Sequence, residues 1–297
     1  VTASIKPTER VTDLARLTET TNAYSIEISS EDASVNAWYL NTINFLTPAA
    51  VNASAVTSIT GSYKDVTYIY DSSGVTKSSL GNEAIEITNS LSVTEANVID
   101  GLTEGVVTAS ITPTERVSDL TRLNGTTNAY SIEISSEDAA VTAWYLNTIN
   151  FRTTVAIDLT NVTSITSSSL TDLETLSTAI GNNEFTNDEG LTAIAVSDTT
   201  IDATTLASTI SKYDVINGSG TTSMTLASGA TINIDAGEIT QILANETASR
   251  LSIIDQNIVV TGNISVDNAN LLSATTTGTV TASIKPTERV TDLARLT

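Results

Sequence analysis

The stretch Val1–Thr18 reads VTASIKPTERVTDLARLT, and the stretch Val280–Thr297 repeats the same eighteen letters. Residues 1–47 also align without gaps onto residues 107–153, with 39 of the 47 positions identical. This internal copy indicates that repetition belongs to the chain itself. We interpret residues 1–279 as one long repeat, which we call a tile, and residue 280 as the start of the next tile. The chain 1–297 is therefore predicted to be one continuous window of a longer tandem array.

A finer period lies within the tile, where short runs alternate apolar and polar residues. Such alternation predicts strands that bury one face. The runs begin at residues 24 (YSIEIS), 50 (AVNAS), 84 (AIEIT), 106 (VVTASI), 130 (YSIEIS), 155 (VAIDL), 193 (AIAVS), 231 (TINID), 257 (NIVVTG) and 279 (TVTASI). Their starts lie 22 to 38 residues apart, a spacing typical of the coils of solenoid proteins.

Short helical patterns follow most of these strands. Pro7 suits the first turn of a helix, where its missing N–H costs nothing, and Val11, Leu14 and Leu17 then share one face. Capping-box spacing occurs in Ser29 with Asp32, Ser92 with Glu95, and Ser135 with Asp138. The apolar stripes behind these caps are Ala37, Leu40 and Ile43; Ala96, Ile99 and Leu102; and Ala143, Leu146 and Ile149. Helices this short need tertiary packing to persist.

The repeated unit is therefore a strand, a turn, a short helix and a second turn. One unit cannot bury its own apolar face, but a stack of units can. We predict an α/β solenoid, an elongated rod in which short parallel strands pile up and helices cover a flank. A pure parallel β-solenoid and an ordinary α/β globule are the alternatives.

Composition narrows the range of functions. Asp and Glu number 34 against 13 Lys and Arg, for a formal charge of −21, which disfavours nucleic acid as a partner. The chain has no histidine and no cysteine, which excludes His-based catalytic triads, thiolate chemistry and the usual zinc sites. No apolar run is long enough to span a membrane. The absence of a signal peptide and of an initial Met agrees with an internal piece of a longer chain.

Several stretches of the sequence also resemble a known class of protein. AVSDTTIDATTLASTI, AVNASAVTSITGS and NVIDGLTEGVVTASI resemble the giant, acidic, cysteine-free tandem-repeat proteins of marine cyanobacterial cell surfaces, the class involved in non-flagellar swimming. The resemblance covers most of the chain and rests on its Thr- and Ala-rich composition. It implies secretion, display at the cell surface, and a structural or motility-related role, and it implies no catalytic residues.

Three glutamates suggest a cation site. Glu27, Glu86 and Glu133 occupy the same outward position in IEI strands. If two units made one turn, these side chains would stack at the strand spacing of about 4.8 Å, where like charges repel. Calcium could bridge them through carboxylate oxygens and stiffen or bundle the rods. The alternative is a solvated acidic face with no bound ion.

Two aromatic pairs recur with the repeat. Trp38–Tyr39 and Trp144–Tyr145 contain the only tryptophans, and each pair lies on a predicted helix. They would either form a surface that stacks on sugars or on another rod, or cap a local core.

The function favoured by these patterns is structural and non-catalytic: an extracellular fibre, sheath or surface-layer filament that self-associates side by side or end to end. The stalk of a large bacterial adhesin is the second interpretation. A carbohydrate-active enzyme is a third, because paired carboxylates hydrolyse glycosides; here, however, the acidic residues recur with the repeats and form no single special cluster.

Overall fold

The computed structural model describes residues 2–18, 21–71, 79–216 and 222–297. The fold is α/β, built of parallel sheets and short helices. The chain forms two compact units, Val1–Glu133 with Ile149–Ile157, and Ile134–Thr148 with Asp158–Thr297. The single continuous window remains a prediction from the repeats, and each unit is described by itself. Within the described ranges, no helix has the length and apolar character needed to cross a membrane.

The elements up to residue 133 belong to the first unit. Its strands are β1 Thr2–Ser4, β2 Ala23–Glu27, β3 Ser34–Asn36, β4 Val51–Asn52, β5 Ser58–Gly61, β6 Ala84–Ile87, β7 Val107–Ser110 and β8 Ala129–Ser131. Its helices are α1 Val11–Leu14, α2 Ala37–Leu46, α3 Tyr63–Asp71, α4 Val93–Asp100 and α5 Val117–Leu120. Three strands pair in the order β1-β2-β4, and five pair in the order β3-β5-β6-β7-β8. All these pairs are parallel.

A row of buried side chains crosses the five-stranded sheet of the first unit. Val35, Ile59, Ile85 and Val107 are consecutive partners in register, and each is buried. Burying one such side chain stabilises the fold by roughly 1.5–3 kcal/mol. The core of this unit is thus a line of branched aliphatic residues, as a chain with few aromatics requires.

The elements from residue 134 onward repeat this plan. Their strands are β9 Ala140–Val141, β10 Ile157–Asp158, β11 Ser164–Ser168, β12 Phe185–Thr186, β13 Ala193–Val196, β14 Thr200–Asp202, β15 Ser223–Leu226, β16 Thr231–Asp235, β17 Leu251–Ser252, β18 Asn257–Ile264 and β19 Val280–Ile284. Their helices are α6 Ala143–Asn150, α7 Leu170–Gly181, α8 Ala203–Ile216, α9 Ile239–Thr247, α10 Val266–Thr275 and α11 Val290–Leu293.

Two parallel sheets organise the second unit, in the orders β9-β11-β13-β15-β17 and β14-β16-β18-β19. Strands β10 and β12 form a separate pair. The row Val141, Ile165, Ile194, Met224 and Leu251 runs through the first sheet in register, and all five side chains are buried. Both units therefore contain a registered row of buried, mostly aliphatic side chains across a five-stranded sheet.

All ten strands predicted from alternation are confirmed, because each alternating run overlaps an observed strand. It missed second strands that lie just before helices, such as β3, β5, β9 and β14. These strands are two to four residues long, too short for alternation to be recognised. The helices contradict the alternative of a pure parallel β-solenoid.

The predicted helix starts were correct in one case and wrong in three. Ser92 and Glu95 form a capping box at the start of α4. By contrast, Pro7 lies in a turn and α1 begins only at Val11. Ser29 caps a short 3-10 turn, as does its counterpart Ser135. After the turn at Ser29, strand β3 precedes α2. Asn36 caps α2, because its side-chain oxygen accepts the Trp38 N–H.

Candidate functional site

The three glutamates proposed to hold calcium are not neighbours in the structure. Glu27 pairs with Asn52 across β2 and β4. Glu86 lies on β6 in the other sheet of the first unit, between Thr60 and Thr108. The predicted stacking of carboxylates at strand spacing is therefore wrong: polar, uncharged residues occupy the neighbouring positions. This arrangement avoids the repulsion between like charges that a glutamate row would create.

Glu133 is also out of line with Glu86. The row of Glu86 continues through Thr108 to Ala129 on β8, and Glu133 comes four positions after Ala129 in the sequence. Among the residues that the structure describes, no three His, Cys, Asp or Glu side chains converge as a group able to hold a metal ion.

Contacts between successive segments are the feature that recurs instead. In the first unit, Arg10 at the start of α1 forms ion pairs with Asp32 (2.8 Å) and Glu31 (3.0 Å). The other Asp32 oxygen accepts the Val11 N–H at 2.8 Å. Asp32 is buried, and a buried carboxylate needs this full set of partners. The 3-10 turn after Ser29 places Asp32 for this contact, so the Ser29–Asp32 spacing has a role other than the predicted helix cap.

Asparagine side chains join neighbouring helical segments. The Asn97 side-chain amide on α4 donates to the Arg122 carbonyl at 2.9 Å. Asn270 on α10 donates in the same way to the Arg295 carbonyl at 2.8 Å. Both residues of the second pair follow their counterparts by 173 positions, since 270 − 97 and 295 − 122 are equal. Equivalent copies therefore make equivalent contacts, although the periodicity of apolar residues gave no indication of these amides.

A threonine–glycine turn also occurs twice. The Thr103 hydroxyl donates to the Glu83 carbonyl at 2.6 Å and accepts the Gly105 N–H at 2.9 Å. A Cβ on Gly105 would lie 2.3 Å from that same carbonyl oxygen, so only glycine fits. The second copy consists of Thr276, Gly278 and the Gln256 carbonyl, with a Cβ distance of 2.2 Å.

The tryptophans are exposed, which contradicts the interpretation that they cap a local core. Trp38 and Phe45 are one heptad apart on α2, hence on one helix face, and are 54% and 74% exposed. Trp144 on α6 and Phe151, which follows that helix, are 53% and 69% exposed. Each tryptophan contacts the following tyrosine edge to face, at 5.1 and 5.2 Å between ring centroids. We call these four residues, Trp38, Phe45, Trp144 and Phe151, the aromatic faces.

Two of the groups with shifted pKa values take part in turn and backbone contacts. Partial burial would raise the pKa of Asp158, but hydrogen bonds from Asn187 and Thr160 outweigh it and lower that pKa. Asp158 thus favours the folded state above its ordinary pKa, and this contribution is lost as the pH falls. Burial raises the pKa of the Tyr213 phenol, which donates to the Leu173 carbonyl at 3.1 Å.

Two features thus recur along the chain: polar contacts between segments, and exposed aromatic side chains. Comparison with protein-family models, with curated proteins and with solved structures found no match to this chain.

Proposed function

We propose that this chain is a structural, non-catalytic repeat protein of the cell exterior, in which segments stack as an α/β solenoid to build a fibre, sheath or surface-layer filament. The observation that carries the proposal is the equivalence of copies: Asn97 and Asn270 make the same bond to the next segment, and Gly105 and Gly278 make the same close approach. A fold whose joints repeat can be extended by adding copies.

Energetics supports the same conclusion. Buried aliphatic residues of neighbouring strands lie in register, as Ile59 and Ile85 do, so each strand gains part of its burial from the strands on either side. Contacts of this kind depend on nearest neighbours and place no limit on length. Backbone ladders along the stack would then resist extension.

The chemistry of the surface is also compatible with assembly of copies into a filament. The chain has 34 acidic and 13 basic residues, a formal charge of −21. Copies would therefore repel one another at separations up to about the Debye length. The aromatic faces supply local apolar contacts between copies at intervals set by the repeat. Charge would therefore control how closely filaments pack, and the exposed Trp and Phe side chains would control where they touch.

The test is to build a two-tile chain in which residues 280–297 of the first tile serve as residues 1–18 of the second. Small-angle scattering and electron microscopy should show about double the length at unchanged width. Ordered bundles at high concentration would support the filament, and isolated rods would favour an adhesin stalk. A two-tile particle that grows in width as well as length would contradict stacking.

A further inference from the structure

The first residues of helices α3, α4, α6 and α7 share one hydrogen-bonding arrangement. In each case the Ser or Thr immediately before the helix accepts the N–H of the third helical residue. The first N–H of a helix has no acceptor within that helix, and here a side chain from a later segment accepts it. The four bonds join Tyr63 to Asn89 (2.9 Å), Val93 to Glu115 (3.3 Å), Ala143 to Ser168 (2.8 Å) and Leu170 to Asp198 (2.7 Å). Every acceptor thus lies 22 to 28 positions further along the chain.

Parallel pairing of strands explains why the acceptor comes from the following segment. The strand before each of these helices pairs with the next strand of its sheet: β5 with β6, β6 with β7, β9 with β11, and β11 with β13. Parallel strands end at the same edge of a sheet, so the residues at or just after the end of the next strand lie beside the helix start. The acceptors are an amide, a hydroxyl and two carboxylates. Position in the fold, rather than residue type, therefore defines them.

Contacts in the opposite direction are of a different kind. The Asn147 side-chain amide on α6 donates to the Asp172 carbonyl of α7 at 2.9 Å, and Asn41 on α2 donates to the Asp65 carbonyl of α3 at 2.9 Å. Both carbonyls lie in the first turn of a helix, where a carbonyl also accepts the N–H four residues later. Such a carbonyl keeps a partner when the preceding segment opens, whereas the first N–H of the helix depends on the following segment.

We propose that these bonds form a directional coupling device. Local opening of one segment releases the helix start of the segment before it and leaves the helix start of the segment after it closed. The coupling free energy is shared equally by the two segments, so the direction concerns which backbone groups are released. The inference goes beyond the filament proposed above, because it concerns neighbouring segments and holds for a stack of any length.

Amide hydrogen exchange followed by NMR on the full chain tests the direction of the coupling. Val141 on β9 and Val196 on β13 are both 3% exposed, and their strands flank β11, which precedes α7. Val196→Ala loosens the segment that supplies Asp198, so we expect the Leu170 N–H to exchange at least about fivefold faster, as for the loss of a helix cap. Val141→Ala removes the same atoms on the other side of β11 and should change that rate less than about twofold. Equal acceleration by both substitutions, or none by Val196→Ala, would overturn the proposal.

Substitution of the acceptor itself supplies the second measurement. Asp198→Ala should accelerate exchange of the Leu170 N–H at least about fivefold. The Asp172 N–H, which the residue before the helix holds at 3.1 Å, should keep its rate within about twofold. Asp198→Asn retains a side-chain oxygen and should restore the protection. Asp202→Ala is the matched control, because Asp202 binds the Thr205 N–H of its own segment at 2.9 Å. An unchanged rate in Asp198→Ala, an equal rise in Asp202→Ala, or no recovery in Asp198→Asn would contradict the coupling.

Discussion

Helices α1 and α11 have one sequence, VTDL, and opposite environments. In α1 the two apolar side chains are buried beneath residues 21–46, and in α11 the same two are exposed. A third copy, VSDL in α5, buries both of its apolar residues. The comparison shows that in this protein the burial of a segment depends on the segment packed against it.

The largest expected difference concerns leucine. Leu120→Ala in α5 removes a fully buried side chain and should cost about 2–5 kcal/mol of unfolding free energy. Leu14→Ala should cost nearly as much, and Leu293→Ala less than about 1 kcal/mol because that side chain is already partly in water. Urea unfolding followed by circular dichroism measures all three. Equal losses at Leu120 and Leu293 would show that the last segment is covered in solution.

A smaller but still substantial effect is expected at the glycine turn. Gly105→Ala puts a Cβ 2.3 Å from the Glu83 carbonyl and should cost about 1–3 kcal/mol. Gly278→Ala should cost a similar amount, because the turn it forms faces the preceding segment, which is present. Gly237→Ala, where no atom lies within 4 Å, is the matched control, and thermal unfolding ranks the three. If Gly278→Ala lowered the stability only slightly, the last turn would be loosely formed.

The ion pair at the first segment should have a moderate effect. Arg10→Ala leaves the buried Asp32 carboxylate with fewer donors, and we expect a loss of about 1 kcal/mol, since the Arg10 side chain is itself half exposed. Arg289→Ala in the last copy should change stability by less than about 0.3 kcal/mol. Unfolding titrations at low and high salt would test this, because the Arg10 contribution should decrease with ionic strength. An equal loss at both positions would contradict the difference in environment.

The smallest effect is expected for calcium at the glutamates. Glu86 lies between two threonines, so Glu86→Gln should alter the melting temperature by less than about 2 °C, as for an ordinary surface substitution. The change should be the same in calcium and in chelator. A stabilisation by calcium that disappears in Glu86→Gln would restore the cation site proposed from the sequence.

Local patterns were sufficient for the elements whose information lies within a few residues. Alternation in IEI-type runs located strands, and the spacing of Ala37, Leu40 and Ile43 identified the buried stripe of α2. The Ser92–Glu95 box marked the start of α4. In each case the residues that form the pattern are at most seven positions apart, so the local sequence is sufficient to show it.

Patterns failed where the partner is distant in the chain. The order of strands within a sheet places Asn52 beside Glu27 and threonines beside Glu86, and no periodicity reports that order. Likewise, the spacing of Ser29 and Asp32 suggested a helix cap, although the carboxylate binds Arg10 and Val11, about 21 positions earlier. The exposure of Trp38 also depends on what packs near α2, which its own helix does not reveal.

The sequence by itself determined the repeat, the alternating strands, the thin aliphatic core and the acidic surface, because these depend only on which residues follow one another. Tertiary structure alone decided which segments pack against each other. The physical reason is that removing apolar area from water requires two surfaces. Residues 2–18 provide one of these surfaces, and residues 21–46, which pair with them in parallel register, provide the other.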